Sequence, residues 1–232
     1  MQLLSGLITL LCLFLPTTGR FNSFVTILPR SESNNSVRID ESSNVSCLVD
    51  DLASDASSID FRIVNAALSQ STVDKLLSKA TMGGFKSFSM MNCNVKSGNS
   101  VKLLSALLLP TSGTQSISFH HCNLDDPSAS VSANFNNSDT ILLDLSFSLL
   151  NPRCTRLLST GLARLHSLVT LVLDGVDLSS EAGHSVVQSI RYHPSIRHVS
   201  LSSCALDDDC MEPLALTLKS NDKLTYLVKH TS

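Results

Sequence analysis

Tryptophan is absent from the chain, tyrosine occurs twice, and glycine only nine times among 232 residues. Aromatic platforms for nucleobases and glycine-rich phosphate cradles therefore lack their raw material. Basic clusters are missing too. The 17 lysines and arginines stand against 20 acidic residues for a net charge of −3, so there is no electrostatic reason to expect nucleic acid or an anionic membrane surface. The apolar stretch Leu3 to Leu15 is too short to cross a bilayer, and no membrane span is expected. Catalytic signatures are also lacking: no Gly-x-Ser-x-Gly elbow, no Gly-x-x-x-x-Gly-Lys loop and no His-Glu-x-x-His pair. Potential metal ligands crowd only at His120-His121-Cys122. Without a Cys-x-x-Cys or His-x-x-x-His nearby they lack a fourth ligand at suitable spacing, so neither a metal nor another cofactor is expected.

What the chain does have is an internal period. Leu168-x-x-Leu171-x-Leu173-x-x-Val176-x-Leu178 aligns at every apolar position with Ile196-x-x-Val199-x-Leu201-x-x-Cys204-x-Leu206. The same offset reaches Leu224 and Leu227, and backward it reaches Leu143, Leu145 and Leu150, with Ser148 in the slot of Val176. Further upstream come Ile117-x-Phe119-x-x-Cys122-x-Leu124, Phe88-x-Met90-x-x-Cys93-x-Val95 and Phe61-x-Ile63-x-x-Ala66-x-Leu68. Strands are thus predicted to start near 61, 88, 117, 143, 171, 199 and 227, at intervals of 27, 29, 26, 28, 28 and 28. A period of this length marks a stacked repeat, because one unit cannot bury its own apolar stripe but neighbours share a continuous core.

Each unit reads as a strand, a turn and a helix. Alternation sends Leu171 and Leu173 inward and Thr170, Val172 and Asp174 outward. Ser179 and Ser180 supply capping oxygens ahead of Glu181, and Val186, Val187 and Ile190 form the buried helical stripe. In the next unit Met211, Leu214 and Leu218 repeat that stripe. Asp207, Asp208 and Asp209 precede it as helix-start charges rather than as a metal cluster. Cys93, Cys122 and Cys204 share one interior slot, so the cysteines are expected to be reduced, apolar core groups rather than a disulfide set.

The pattern Leu-x-x-Leu-x-Leu-x-x-(Asn/Cys)-x-Leu followed by a helix resembles the leucine-rich repeats of ribonuclease inhibitor, of NOD-like receptor arms and of Ran GTPase-activating proteins. The junctions Leu218-Lys219-Ser220-Asn221 and Arg191-Tyr192-His193-Pro194-Ser195-Ile196 are similar to those of that class as well. Departures fall in the Asn/Cys slot, which holds Ala66, Ser148 and Val176 in three units. The resemblance implies an α/β solenoid, a curved arc of six to seven units with parallel strands on the concave side and helices on the convex side. It also implies a non-enzymatic module that scaffolds or senses a protein partner. The candidate binding face comprises Arg62, Ser89, Ser118, His120, Asp144, Thr170, Val172, Asp174, His198, Ser200 and Tyr226. Alternatives within the resemblance are a secreted or cell-surface repeat protein and a regulator of a GTPase.

Three segments are expected. Residues 1–19 read as a signal peptide or as the helix of a truncated first repeat, residues 20–58 as an irregular cap or degenerate repeat, and 59–232 as repeats. A cytoplasmic location stands slightly ahead, with secretion the alternative if residues 1–19 are cleaved. The sequons at Asn34, Asn44 and Asn136 are no more than chance supplies in so Ser/Thr-rich a chain. Whether Val37-Arg38-Ile39 forms a further strand is left open by its composition.

Overall fold

A computed structural model describes residues 36–39, 59–95, 98–125, 139–179 and 181–228, all within the unit Ser33–Ser232. The proposed leader, the three sequons, Cys12 and Cys47 lie outside these residues.

Among the described residues the chain is an α/β protein with an open, parallel sheet. Eight strands lie side by side in chain order: β1 (Ser36–Ile39), β2 (Ile59–Val64), β4 (Phe85–Met91), β6 (Ser116–His120), β7 (Leu142–Asp144), β8 (Thr170–Val172), β9 (His198–Ser200) and β10 (Tyr226–Val228). A second parallel pair joins β3 (Ala67–Leu68) to β5 (Asn94–Val95). Five helices return the chain between strands: α1 (Gln70–Thr81), α2 (Asn99–Leu107), α3 (Pro152–Leu162), α4 (Glu181–Arg191) and α5 (Met211–Ser220). Right-handed crossovers between strands laid down in chain order place every helix on the same side of the sheet. Along that side α1 packs on α2, α3 on α4, and α4 on α5.

The register carries one anchor residue from strand to strand. Val37, Phe61, Phe88, Ile117, Leu143, Leu171, Val199 and Leu227 are direct partners in turn. Seven of these are the strand positions expected from the period. The eighth, in β1, shows that the chain is in sheet conformation at Val37-Arg38-Ile39. From β2 to β9 the anchors and the residues two further on point at the helices, and Phe61, Ile63, Phe88, Met90, Ile117, Phe119, Leu143, Leu145, Leu171, Leu173, Val199 and Leu201 are all fully buried. At one end the core is aromatic, with the rings of Phe61, Phe85, Phe88 and Phe119 at centroid separations of 5.2 to 5.7 Å.

Local chemistry sets the helix boundaries. Ser69 accepts from the Thr72 N–H at 3.2 Å, and Asn151 from the Cys154 N–H at 2.7 Å with Pro152 opening the helix. Asp207 caps the short turn Asp208–Cys210 that leads into α5, as a helix-start carboxylate should. Two expectations need correction. The Ser179 hydroxyl donates to Asp177 instead of serving the helix, because an aspartate two residues back offers a closer acceptor, and Ser180 falls outside the described residues. Leu218 is 56% exposed, whereas its equivalent Ile190 is buried. Ile190 lies beneath α5, while no described helix lies beyond Leu218.

The interior slot is a ladder of donors aimed at backbone carbonyls one unit back. Cys93 points to the Ile63 carbonyl, Cys122 to Met90, Ser148 to Phe119 at 2.9 Å, and Cys204 to Leu173 at 3.0 Å. Ala66 and Val176, in the same slot, each leave a rung without a donor. All five cysteines among the described residues are free and buried. Burial pushes the Cys122 and Cys204 thiols up to about 12 and raises that of Cys93.

Candidate functional site

The side of the sheet turned away from the helices is where the chain displays polar groups in order. The register assembles three rows across the strands. One runs through Asp60, Ser87, Ser116, Leu142, Thr170, His198 and Tyr226. The next runs through Arg38, Arg62, Ser89, Ser118, Asp144, Val172, Ser200 and Val228. Val64, Met91 and His120 begin a third. All eleven candidate residues therefore belong to this face, with Asp174 just past the end of β8. Their exposure is uneven: Ser118 is nearly closed off at 8%, whereas Tyr226 is 47% exposed.

Most of the charge on the face is engaged. His120 Nε2 lies 2.9 Å from Asp144 Oδ2, while Asp144 Oδ1 accepts from the Ser146 N–H at 3.0 Å and from its hydroxyl. Asp174 accepts from the Ser200 hydroxyl at 2.6 Å and the Ser202 N–H at 2.8 Å. The Ser87 hydroxyl donates to Asp60 at 2.7 Å. The His198 and Tyr226 rings sit side by side, centroids 6.4 Å apart. An Asp–His pair invites comparison with hydrolytic triads, but Ser146 bonds the aspartate, and no hydroxyl among the described residues bonds the other imidazole nitrogen. Arg62 differs from its neighbours: its Nε is buried and has no hydrogen-bond partner.

The three residues His120, His121 and Cys122 diverge. His120 turns to Asp144, His121 stacks on Phe147 at 5.0 Å and 12°, and Cys122 faces the interior. Among the described residues no group of three potential ligands could hold a metal, and no helix is long and apolar enough to cross a membrane.

Sequence reasoning missed a second ordered feature. Four residues past the six anchors from Phe61 to Val199 the backbone turns left-handed: Asn65, Asn92, His121, Phe147, Gly175 and Ser203 all have φ between 49° and 68°. Each of the first five donates its N–H to a carbonyl of the following unit, at 2.6 to 3.2 Å. Neighbouring members meet: the Asn92 amide donates to Asn65, the His121 ring stacks on Phe147, and the Phe147 ring lies over Gly175, where any Cβ would collide with it. Asn and Gly at this position are the one sequence signal for it, since they tolerate the conformation best. One open depression, of about 350 Å³, lies along this row and is bordered by Asn92, His121, Phe147 and Leu149; another, of about 510 Å³, lies on the helical side between α3 and α4 around His184.

Fold and site together define an α/β protein with an open parallel sheet and a polar outward face. No protein-family model matches the chain, and no curated protein matches it either.

Proposed function

We propose that the chain is a leucine-rich repeat solenoid of the ribonuclease-inhibitor-like class that acts as a non-enzymatic protein-binding module through the outward face of its strands. The observation that carries this reading is the register. Anchors spaced 24 to 29 residues apart pair in chain order, so outward residues of successive units fall into continuous rows. Rows of this kind offer an extended surface, which suits a macromolecule better than an enclosed small substrate. The polar groups of the face bond each other instead of converging on a reacting centre, which favours binding over catalysis.

The test uses the exposed members of the rows. Thr170→Glu and His198→Glu introduce charge without removing a described hydrogen bond. Affinity capture from a source lysate, read by mass spectrometry, should return an altered partner set for these variants while far-UV circular dichroism is unchanged. An identical partner set would refute binding through this face.

A further inference from the structure

Charge is divided between the two rims of the strand-and-helix stack. Each helix carries the chain back from the end of one strand to the start of the next, so helix ends and strand starts gather on one rim, strand ends and helix starts on the other. On the first rim the last three units bring together Arg164, Arg191, Arg197, Lys219 and Lys223, within residues 163–169, 191–197 and 219–225. These segments touch across units: Arg191 Nε donates to the Ser220 hydroxyl at 3.2 Å, and Lys223 Nζ to the Pro194 carbonyl at 2.7 Å. Asp222 is the one carboxylate in them, and Asp139 stands one strand away, ahead of β7. On the opposite rim the last two units hold Asp177, Glu181, Asp207, Asp208, Asp209 and Glu212, all exposed, with no lysine or arginine between 174 and 188 or between 202 and 216. Among the described residues no ion pair joins any of these groups to an opposite charge. The two signs largely cancel in the net charge of −3. In space they do not, because α4 and α5, of 11 and 10 residues, hold the rims about 15 Å apart. That is beyond the physiological Debye length of about 8 Å. Helix dipoles account for Glu181, Arg191, Glu212 and Lys219, in first and last turns, but not for Arg197 and Lys223, which stand past the helices ahead of the strands.

We infer that the basic rim docks the acidic rim of a second copy of this chain, the two lying side by side and pointing the same way along the stack. Complementary charge brings such surfaces together and sets their register. Both rims are built on one repeat, so cations and carboxylates advance by a common step per unit, and a second copy matches that step by construction. A foreign acidic segment would have to match it through its own sequence. A nucleic acid or an anionic lipid surface would draw on the basic rim alone and leave the acidic rim without a role. The contact is heterologous: a bound copy still presents one free rim of each sign to the next, so rows can grow beyond two. Because the rims lie at the strand ends, this association leaves the outward face of the sheet uncovered and sets the faces of neighbouring copies edge to edge.

Analytical ultracentrifugation of the full chain tests this across concentration and salt. At about 0.01 M salt, where the Debye length is about 30 Å, the weight-average mass should rise with concentration; at about 1 M, where it is about 3 Å, the mass should return to that of the monomer. One triple variant, Arg164→Glu with Arg197→Glu and Lys219→Glu, disables the basic rim, and another, Glu181→Lys with Asp208→Lys and Asp209→Lys, disables the acidic rim. None of these side chains makes a hydrogen bond or ion pair among the described residues, so far-UV circular dichroism should be unchanged. Each variant should self-associate about ten-fold more weakly or worse, as several exposed ion pairs are lost together. Each also keeps one native rim, so a mixture of the two should re-form a single contact and stop at a one-to-one pair. If a triple variant loses its circular dichroism signal, Arg197→Glu alone, outside the helices, should still weaken association about two-fold or more. A monomer at every concentration in low salt, association that survives high salt, association indifferent to the variants of either rim, or a mixture that stays monomeric would each overturn the assignment.

Discussion

His193 and Asn221 offer a comparison written into a single chain, because they occupy the same place 28 residues apart. Asn221 donates Nδ2–H to the Ile190 carbonyl at 3.2 Å and accepts from the N–H groups of Lys223 and Leu224 at 3.0 and 3.2 Å. His193 makes the same three bonds one unit earlier. Nε2 pairs with the Leu162 carbonyl at 3.0 Å, and Nδ1 accepts from Ser195 and Ile196 at 3.3 and 3.2 Å. Only a neutral imidazole protonated on Nε2 can do this. Burial holds its pKa below the ordinary imidazole value, against the pull of the Leu162 carbonyl, and the neighbouring His166 lowers it further. In the unfolded chain the ring takes up a proton near pH 6.5, while the folded chain resists until lower pH. The unfolded state therefore binds more protons across that window. The stability His193 contributes is complete above about pH 6.5 and is lost as pH falls toward the folded pKa. His193→Asn should reproduce the Asn221 clasp, stay close to wild type at pH 7.5, and flatten the decline below pH 6.5. His193→Ala leaves the buried Ile196 N–H unsatisfied, at roughly 1–3 kcal/mol, while the Leu162 carbonyl keeps the Leu165 N–H at 3.0 Å. At ~2–4 °C per kcal/mol for a chain of this size, Tm at pH 7.5 should fall by about 2 °C or more. Urea unfolding followed by circular dichroism between pH 5 and 8 measures both effects. Parallel pH profiles for wild type and His193→Asn would refute the argument.

Three further outcomes are expected. Leu201→Asp buries an unpaired charge and should abolish or severely reduce folding, while Ser200→Asp on the opposite side should cost well under half as much; equal urea midpoints would overturn the inward and outward assignment. With thiols pushed up to about 12, only about one in ten thousand of Cys122 and Cys204 is thiolate at pH 8, so mass spectrometry should find both unalkylated by iodoacetamide until urea is added. Rapid native labelling would contradict their placement. Gly175→Ala meets both a φ of 68° and the Phe147 ring, and should cost about 1–2 kcal/mol or more; in a Phe147→Ala background the cost should shrink toward the backbone part, and a double-mutant cycle without coupling would count against the Phe147–Gly175 contact.

The inward register was legible because burial acts on residue type: only apolar side chains suit the positions of Phe61, Leu143 or Leu171, so the period survives in the letters. The outward rows follow from it by alternation. What could not be read depends on neighbours or on backbone shape. Leu218 and Ile190 are equivalent in sequence yet opposite in exposure, since a leucine does not encode whether another helix covers it. The left-handed row was hidden because Asn65, His121, Phe147 and Ser203 share a dihedral angle and not a chemistry. His193 concealed its equivalence to Asn221 for the converse reason, an imidazole and an amide doing one job. Arg62 looked like any outward arginine, and its buried Nε without an acceptor appears only in three dimensions.

The constant spacing from anchor to left-handed turn has a consequence for how such a chain can change. Six turns keep it at four residues, although the distance between anchors varies from 26 to 29 over the same stretch. All of the variation in length is therefore absorbed after the turn, in the segment that leads to the next strand. Insertions and deletions there can be accepted or engineered without shifting any outward residue relative to its neighbours. One half of each unit serves as a ruler and the other as slack, so the displayed surface and the length of the chain can vary independently.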